Sequence, residues 1–317
     1  MLRHWDTLGF LTRRIQKNEL WTKRTDIIMN KKENIRIIKK EDKAYPELLK
    51  NISDPPEALY CIGDVKLLSG RNLAVVGSRK CSEYGRTTAM RIGETAARNN
   101  VTVVSGMAKG IDRFAHLGAL KAGGKTIAVL GSGVNICYPK ENKALYEQIA
   151  SEGLLVSELP PDTEPAPYTF PQRNRIISGL SEAVAVVEAG TGSGALITAE
   201  RAASQGRDVF AVPGNINSQY SLGTNKLLTD GATPIAVIDD IFIGMGISPA
   251  VDFGEVDSLG DDEEKVYRLI RENGEVTVDF ICRMLNKTPA WVNGIVTVLE
   301  IKGLAAYNLG KIFIAKF

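Results

Sequence analysis

From Leu73 onward the chain alternates short, unbroken apolar runs with amphipathic stretches. Leu73–Val76 precedes a helical segment near 82–98, Val101–Val104 one near 110–122, and Thr126–Leu130 one near 141–151. Leu154–Val156 is a further strand, Ala183–Val187 precedes a helix near 194–205, Asp208–Val212 follows it, and Ile235–Ile238 closes the series. Continuous Val, Ile and Ala runs, rather than alternating ones, suit strands covered by helices on both faces. The pattern predicts an α/β fold, a doubly wound Rossmann-like parallel sheet over 45–243, with Ala58–Ile62 as a lead-in strand after Pro55-Pro56.

Outside that series the pattern changes. Residues 1–44 are basic and polar with scattered apolar positions, which predicts one or two short helices and leaves their role open. Residues 244–260 are glycine-rich, end in acidic residues and show neither period, as expected of a linker. Over 261–317, amphipathic helices at Glu263–Glu272, Val276–Leu285 and Pro289–Lys302 precede a hairpin of Leu304–Tyr307 and Ile312–Ala315, the order of a small winged-helix domain.

A length of 317 residues with 44% hydrophobic residues agrees with two domains that each bury a core. No apolar stretch is long enough to span a bilayer and the first residues lack the apolar run of a signal peptide, so a cytoplasmic protein with no membrane partner is expected. Cys61, Cys81, Cys137 and Cys282 are widely spaced and form no metal-binding pattern; no metal or cofactor is expected. Net charge is only +2, so a nucleic-acid site must rest on a local cluster.

Such a cluster lies in the loops. Glycine turns follow five of the apolar runs, at Gly77-Ser78-Arg79, Ser105-Gly106-Met107, Gly131-Ser132-Gly133, Gly190-Thr191-Gly192-Ser193-Gly194 and Pro213-Gly214-Asn215. In a parallel sheet these turns share one rim, where backbone N–H groups and helix N-termini favour anions. A rim of this length suits a polyanion better than a mononucleotide. Arg79, Lys109, Lys140 and Lys143 fall in or beside these turns, and Phe170-Pro171-Gln172-Arg173-Asn174-Arg175 sets two guanidinium forks near a helix start. Either arginine has an alternative partner in an internal carboxylate such as Glu158 or Glu188. Tyr84, Tyr138, Tyr168, Phe170 and Tyr220 are placed to stack on bases or to pack beneath loops. Asp112 and His116 share a helix face, a spacing that serves acid–base chemistry or, more commonly, a structural Asp–His hydrogen bond. Glu200 is the best carboxylate for any reaction at the rim.

Read together, these motifs resemble the bacterial DNA-processing protein A family. The resemblance rests on Asp54-Pro55-Pro56, Val76–Arg79, Ser105–Asp112 with Ala115-His116, Tyr138–Asn142, Ser157–Pro160, Phe170–Arg175, Ser193–Leu196 with Ala199-Glu200, Val212–Gly214 and Gly223–Asn225, in that order. It implies a non-enzymatic homodimer that binds single-stranded DNA without sequence preference and helps load the RecA recombinase in natural transformation. It places Arg79, Arg173 and Arg175, with Lys140 or Lys143, in the family's DNA site, and the rim reading adds Gly77, Ser78, Gly106, Lys109, Phe170, Asn174, Gly192, Ser193 and Gly194 as candidate DNA contacts. The family pattern carries Arg where Lys109 stands, and Lys keeps the charge but loses the fork. Residues 1–44 do not show the helical domain that often precedes the matched region in the family.

Two nucleotide-binding alternatives fit less well. A phosphoribohydrolase of related fold carries Pro-Gly-Gly-x-Gly-Thr closely followed by Glu, whereas this chain has Glu188-Ala189-Gly190-Thr191-Gly192 with Glu200 displaced. A dinucleotide site needs G-x-G-x-x-G after the first strand, and Gly77-Ser78-Arg79 does not supply it. The third helix of the C-terminal domain has no Arg or Lys between Lys287 and Lys302, so an accessory role is expected there.

Overall fold

The computed structural model describes residues 35–248, 259–302, 304–308 and 310–314. They form two compact units that divide between Ala250 and Val251. In the first, chain order is β1 (Arg36–Lys39), α1 (Glu47–Lys50), β2 (Ala58–Gly63), β3 (Asn72–Val76), α2 (Glu83–Arg98), β4 (Thr102–Ser105), α3 (Ile111–Lys121), β5 (Thr126–Val129), α4 (Lys143–Glu152), β6 (Leu154–Ser157), α5 (Thr169–Gly179), β7 (Ala183–Val186), α6 (Gly194–Ser204), β8 (Asp208–Ala211), α7 (Leu222–Thr229), β9 (Thr233–Pro234) and α8 (Asp239–Gly244).

These strands make one sheet in the order β1-β2-β6-β5-β4-β3-β7-β8-β9. From β6 to β9 every pairing is parallel, with Val76 opposite Val186 and Val104 opposite Ile127. The chain winds outward from β3 to β6, then crosses back to β7 on the other side of β3, so the sheet is doubly wound with its switch point between β3 and β7. The continuous apolar runs follow from burial on both faces. Ala74 and Val76 pack with Ile176, Ile177 and Ala199 on one side, while Leu73 and Val75 pack with Ile92, Ile111 and Ala115 on the other.

Two edges differ from the sequence reading. Arg36–Lys39, inside the segment 1–44 expected to be helical, is a strand antiparallel to β2, because Ile38 alone of its residues enters the core and its neighbours face solvent. Residues 1–34 lie outside the described residues. The last strand is only Thr233–Pro234, before the expected Ile235–Ile238, since the Asp240 carboxylate accepts the Ala236 and Val237 N–H groups at 2.9 and 2.8 Å and turns the chain into α8.

The second unit consists of α9 (Asp261–Asn273), α10 (Val278–Leu285), α11 (Pro289–Ile301) and a hairpin of β10 (Ala305–Asn308) and β11 (Lys311–Ile314). Val292, Val296 and Leu299 of α11 pack with Val266, Ile270, Ile281 and Ile312 in its core. Glu300 of α11 accepts the Tyr307 N–H at 2.8 Å and ties the helix to the hairpin. Most of the expected linker lies outside the described residues.

Helices α2 and α3 touch through glycines. A Cβ at Gly118 would stand 2.1 Å from the Met90 carbonyl oxygen, and one at Gly93 would stand 2.4 Å from that of Ala115. Next to this seam His116 is fully buried. The Thr126 hydroxyl donates to the Val103 carbonyl at 2.8 Å, so it accepts from His116 Nδ1–H at 2.6 Å, which makes the imidazole the neutral Nδ1–H tautomer. Burial, aided by the Arg173 charge, lowers the His116 pKa from 6.5 to about 3.

Two outcomes follow for stability. Gly118→Ala should lower the unfolding midpoint although Ala exceeds Gly in helix propensity by about 1 kcal/mol, because the added methyl meets backbone that must shift. A histidine whose folded pKa lies below its unfolded value stabilises fully above about pH 6.5 and loses that contribution as pH falls toward 3. In urea unfolding at several pH values, the advantage of wild type over His116→Phe should therefore narrow by about 1.4 kcal/mol per pH unit below 6.5.

Candidate nucleic-acid interface

All the parallel strands end at one edge of the sheet, so the loops after Val76, Ser105, Val129, Ser157, Val186 and Ala211 form a common rim. The turn from β3 to α2 is pinned at both sides of Arg79. Ser78 N–H donates to the Glu188 carbonyl at 2.7 Å, the Ser78 carbonyl accepts from Ile111 N–H at 3.2 Å, and the Ser78 hydroxyl donates to the Lys80 carbonyl at 2.7 Å. Gly110 permits this approach: its φ is +75°, and a Cβ there would lie 2.2 Å from the Ser78 oxygen. Arg79 itself is exposed, with its guanidinium carbon 5.4 Å from the centroid of the Phe170 ring.

Phe170, in the first turn of α5, lies against Gly131, where a Cβ would come within 2.7 Å of the ring. Tyr138 sits beside it, the two rings 5.4 Å apart and tilted by 37°, and is 46% exposed. Two loops and the first turn of α5, remote in sequence, thus contribute a cation and two aromatic rings to one surface. Lys109 is exposed but forms an ion pair with Glu141 at 2.6 Å, and this hydrogen bond holds the Glu141 carboxyl below its usual range. Lys140 and Lys143 are exposed on either side of Asn142. Asn142 is buried and donates to the Met107 and Ala108 carbonyls at 2.8 and 3.3 Å, which joins the Tyr-Pro segment to the loop after β4.

The two arginines expected to present forks to phosphate are both engaged by groups of the protein itself. Arg173 is 5% exposed; its Nη1 donates to the Gly106 carbonyl at 2.8 Å and to that of Val129, and the guanidinium faces Asp112. The Asp112 carboxylate in turn accepts the Gly106 and Ala108 N–H groups at 3.2 and 3.4 Å. Burial lowers the Arg173 pKa to about 10 and raises that of Asp112, each opposed by the other's charge. Arg175 is ion-paired through Nε with the Asp54 carboxylate at 3.2 Å and donates from Nη2 to Glu158. The expected Asp112–His116 bond is likewise replaced, by Asp112–Arg173 and His116–Thr126.

The glycines sort in the same way. Gly77 and Gly106 are small because of the chain's own packing: a Cβ would stand 2.5 Å from Ile111 at the first and 2.5 Å from Arg173 Nη2 at the second. At Gly192 and Gly194 a Cβ would meet nothing within 4 Å, so these positions face open space at the start of α6, where Ser193 accepts the Ala195 N–H. Asn174 Nδ2 donates to the Gly194 carbonyl at 3.3 Å. Tyr84 and Tyr168 are exposed, Tyr220 is partly buried, and Glu200 is exposed on α6. Sequence reasoning did not find the Arg79–Phe170 stack; the glycine at 131, opposite an aromatic, was its only trace.

Known proteins resemble this chain in sequence and fold. The chain is 44% identical to DNA processing protein DprA of Bacillus subtilis over 213 residues, covering 67% of this chain and 72% of that protein. The solved structure of DNA processing protein A from Streptococcus pneumoniae superposes with a TM-score of 0.64 at 43% identity, covering 66% of this chain and 74% of that one. A structure of DNA processing protein A from Helicobacter pylori, described as giving insights into its unique single-stranded DNA binding mode, superposes with a TM-score of 0.60 at 30% identity over 66% of this chain and 98% of that one. A sequence model of the family matches residues 36–246, from β1 through α8, and on that match the chain belongs to the DNA recombination-mediator protein A family.

Proposed function

We propose that this protein binds single-stranded DNA without sequence preference along the carboxyl rim of its parallel sheet, without catalysing a reaction on it. The observation that carries this reading is the Arg79–Phe170–Tyr138 group, a cation and two rings brought together by two loops and the first turn of α5. Single strands are bound by aromatic faces that stack bases and by cations that track phosphates, neither of which reads sequence. Lys140, Lys143 and Lys109 extend the charge, and the open glycines at 192 and 194 extend the backbone surface. Among the residues singled out for acid–base work, Asp112 and His116 are engaged in buried structural bonds, which favours binding over turnover.

In this reading the protein acts in the cytoplasm as a homodimer and delivers the bound strand to the RecA recombinase during natural transformation, in keeping with the recombination-mediator family to which it belongs. The second unit, with three helices and a hairpin, serves as a winged-helix accessory. The outward residues of α11 include Asn293, Gly294 and Thr297, which carry no charge toward a phosphate.

A titration of fluorescent oligo-dT over a range of salt tests this. Arg79→Ala should weaken binding on every sequence alike, flatten the log–log salt slope by about 0.7, and leave the melting temperature unchanged. Phe170→Ala should cost about 1–3 kcal/mol of binding, as expected for one stacked base. Unchanged affinity in both variants would remove the interface from this surface. Arg173→Ala should instead lower folding stability by about 3–5 kcal/mol, because it leaves the Asp112 carboxylate buried without its counter-charge.

The Lys109–Glu141 pair adds a test of opposite sign. Glu141→Gln should free Lys109 for phosphate, tighten oligo-dT binding at low salt and steepen the salt slope by about 0.7. No change in slope would show that Lys109 lies off the path of the strand.

A further inference from the structure

The N-terminus of α2 is where a Rossmann-type domain holds a nucleotide phosphate. It follows the first strand of the parallel series and lies at the switch point, where the N–H groups opening a helix favour an anion. In this protein a side chain occupies that position. Glu188, just beyond β7 and 3% exposed, accepts from the Ser82 N–H at 2.8 Å and from the Ser82 hydroxyl. Ser82 is the N-cap of α2, and its oxygen accepts the Gly85 N–H at 3.1 Å.

Gly85 supplies the space. A Cβ at this position, in the first turn of α2, would stand 2.3 Å from the Glu188 carboxyl carbon and 2.4 and 2.8 Å from its two oxygens. A buried carboxylate is costly unless donors and a favourable dipole surround it, and the helix N-terminus provides both. The segment after the neighbouring strand thus brings a carboxylate onto Ser82 at the mouth of the helix, against the space Gly85 leaves open.

We propose that Glu188 is a built-in anion that substitutes for a nucleotide phosphate at the N-terminus of α2, so that free mononucleotides and dinucleotides are refused at the switch point. The chain keeps the sheet of a nucleotide-binding domain while its first phosphate position is filled from within. What remains for an external polyanion is the outward face of the same turn, where Arg79 stands. The Glu188 carbonyl also holds Ser78 N–H, so one residue both closes the inner position and anchors the turn that carries Arg79.

The test uses the full chain with inorganic pyrophosphate and AMP as probes, followed by calorimetry and by the backbone amide signals of Ser82, Glu83 and Gly85. Wild type should show no saturable binding at millimolar probe and no shift of these amides. Glu188→Ala, checked for folding by circular dichroism and thermal melting, should gain a saturable pyrophosphate site at least about tenfold tighter than any wild-type binding, with shifts centred on Ser82 and Gly85. A folded Glu188→Ala without that gain overturns the proposal. So does wild-type binding that moves the Ser82 or Gly85 amides, a measurement that stands even where the variant does not fold. Neither arm uses DNA, so the result is separate from what Arg79→Ala does to oligonucleotide affinity.

Discussion

The rim of this protein is organised around one buried pair of charges, Arg173 and Asp112. The guanidinium bonds the carbonyls at the ends of β4 and β5, and the carboxylate collects the amides of the loop after β4 at the start of α3. Four elements are thereby held together at the edge where the site forms. Such a pair contributes little net stability, since desolvation offsets most of the attraction, but losing either member leaves an uncompensated charge in the interior. Its effect here is geometric: the loop after β4 has one available path, with Gly106 pressed against both charged groups.

The outward chemistry depends on that inward one. With Arg173 neutralised by Asp112, and Arg175 by Glu158 and Asp54, the positive charge left on the rim includes Arg79, Lys80, Lys140 and Lys143, with Lys109 shared with Glu141. The path of the β4 loop also sets the Tyr-Pro segment, because Asn142 bonds the Met107 and Ala108 carbonyls, and Met107 takes the left-handed φ of +58°. Tyr138 is placed beside Phe170 through this chain of contacts. A nearly neutral chain can in this way carry a locally cationic, aromatic surface.

Helix termini complete the division between inside and outside. The N-terminus of α2 meets a carboxylate of the protein, Glu188, and the Asp112 carboxylate in the first turn of α3 is taken by Arg173 and the amides of the preceding loop, whereas the approach to α6 is bordered by glycines that face open space. Dipoles that a nucleotide enzyme would aim at its substrate are thus partly consumed by the fold. What remains exposed are groups suited to following a chain of phosphates and bases.

Much of this was legible in the sequence for a physical reason. Strands buried on both faces must be apolar throughout, helices packed on them must be amphipathic, and parallel strands must send their loops to one edge, so the α/β order, the rim and Arg79 at its first turn could be read directly. The C-terminal order of three helices and a hairpin was legible from the same periodicities. β1 was not, because a short edge strand with one buried isoleucine leaves no period to detect, and the end of the series was lost to a local Asp240 turn. The direction of Arg173 and Arg175 was decided only by tertiary structure. Their residue type specifies a fork in search of an anion, but whether that anion is a phosphate in solvent or Asp112, Asp54 and Glu158 depends on which distant segments the sheet order brings alongside α5.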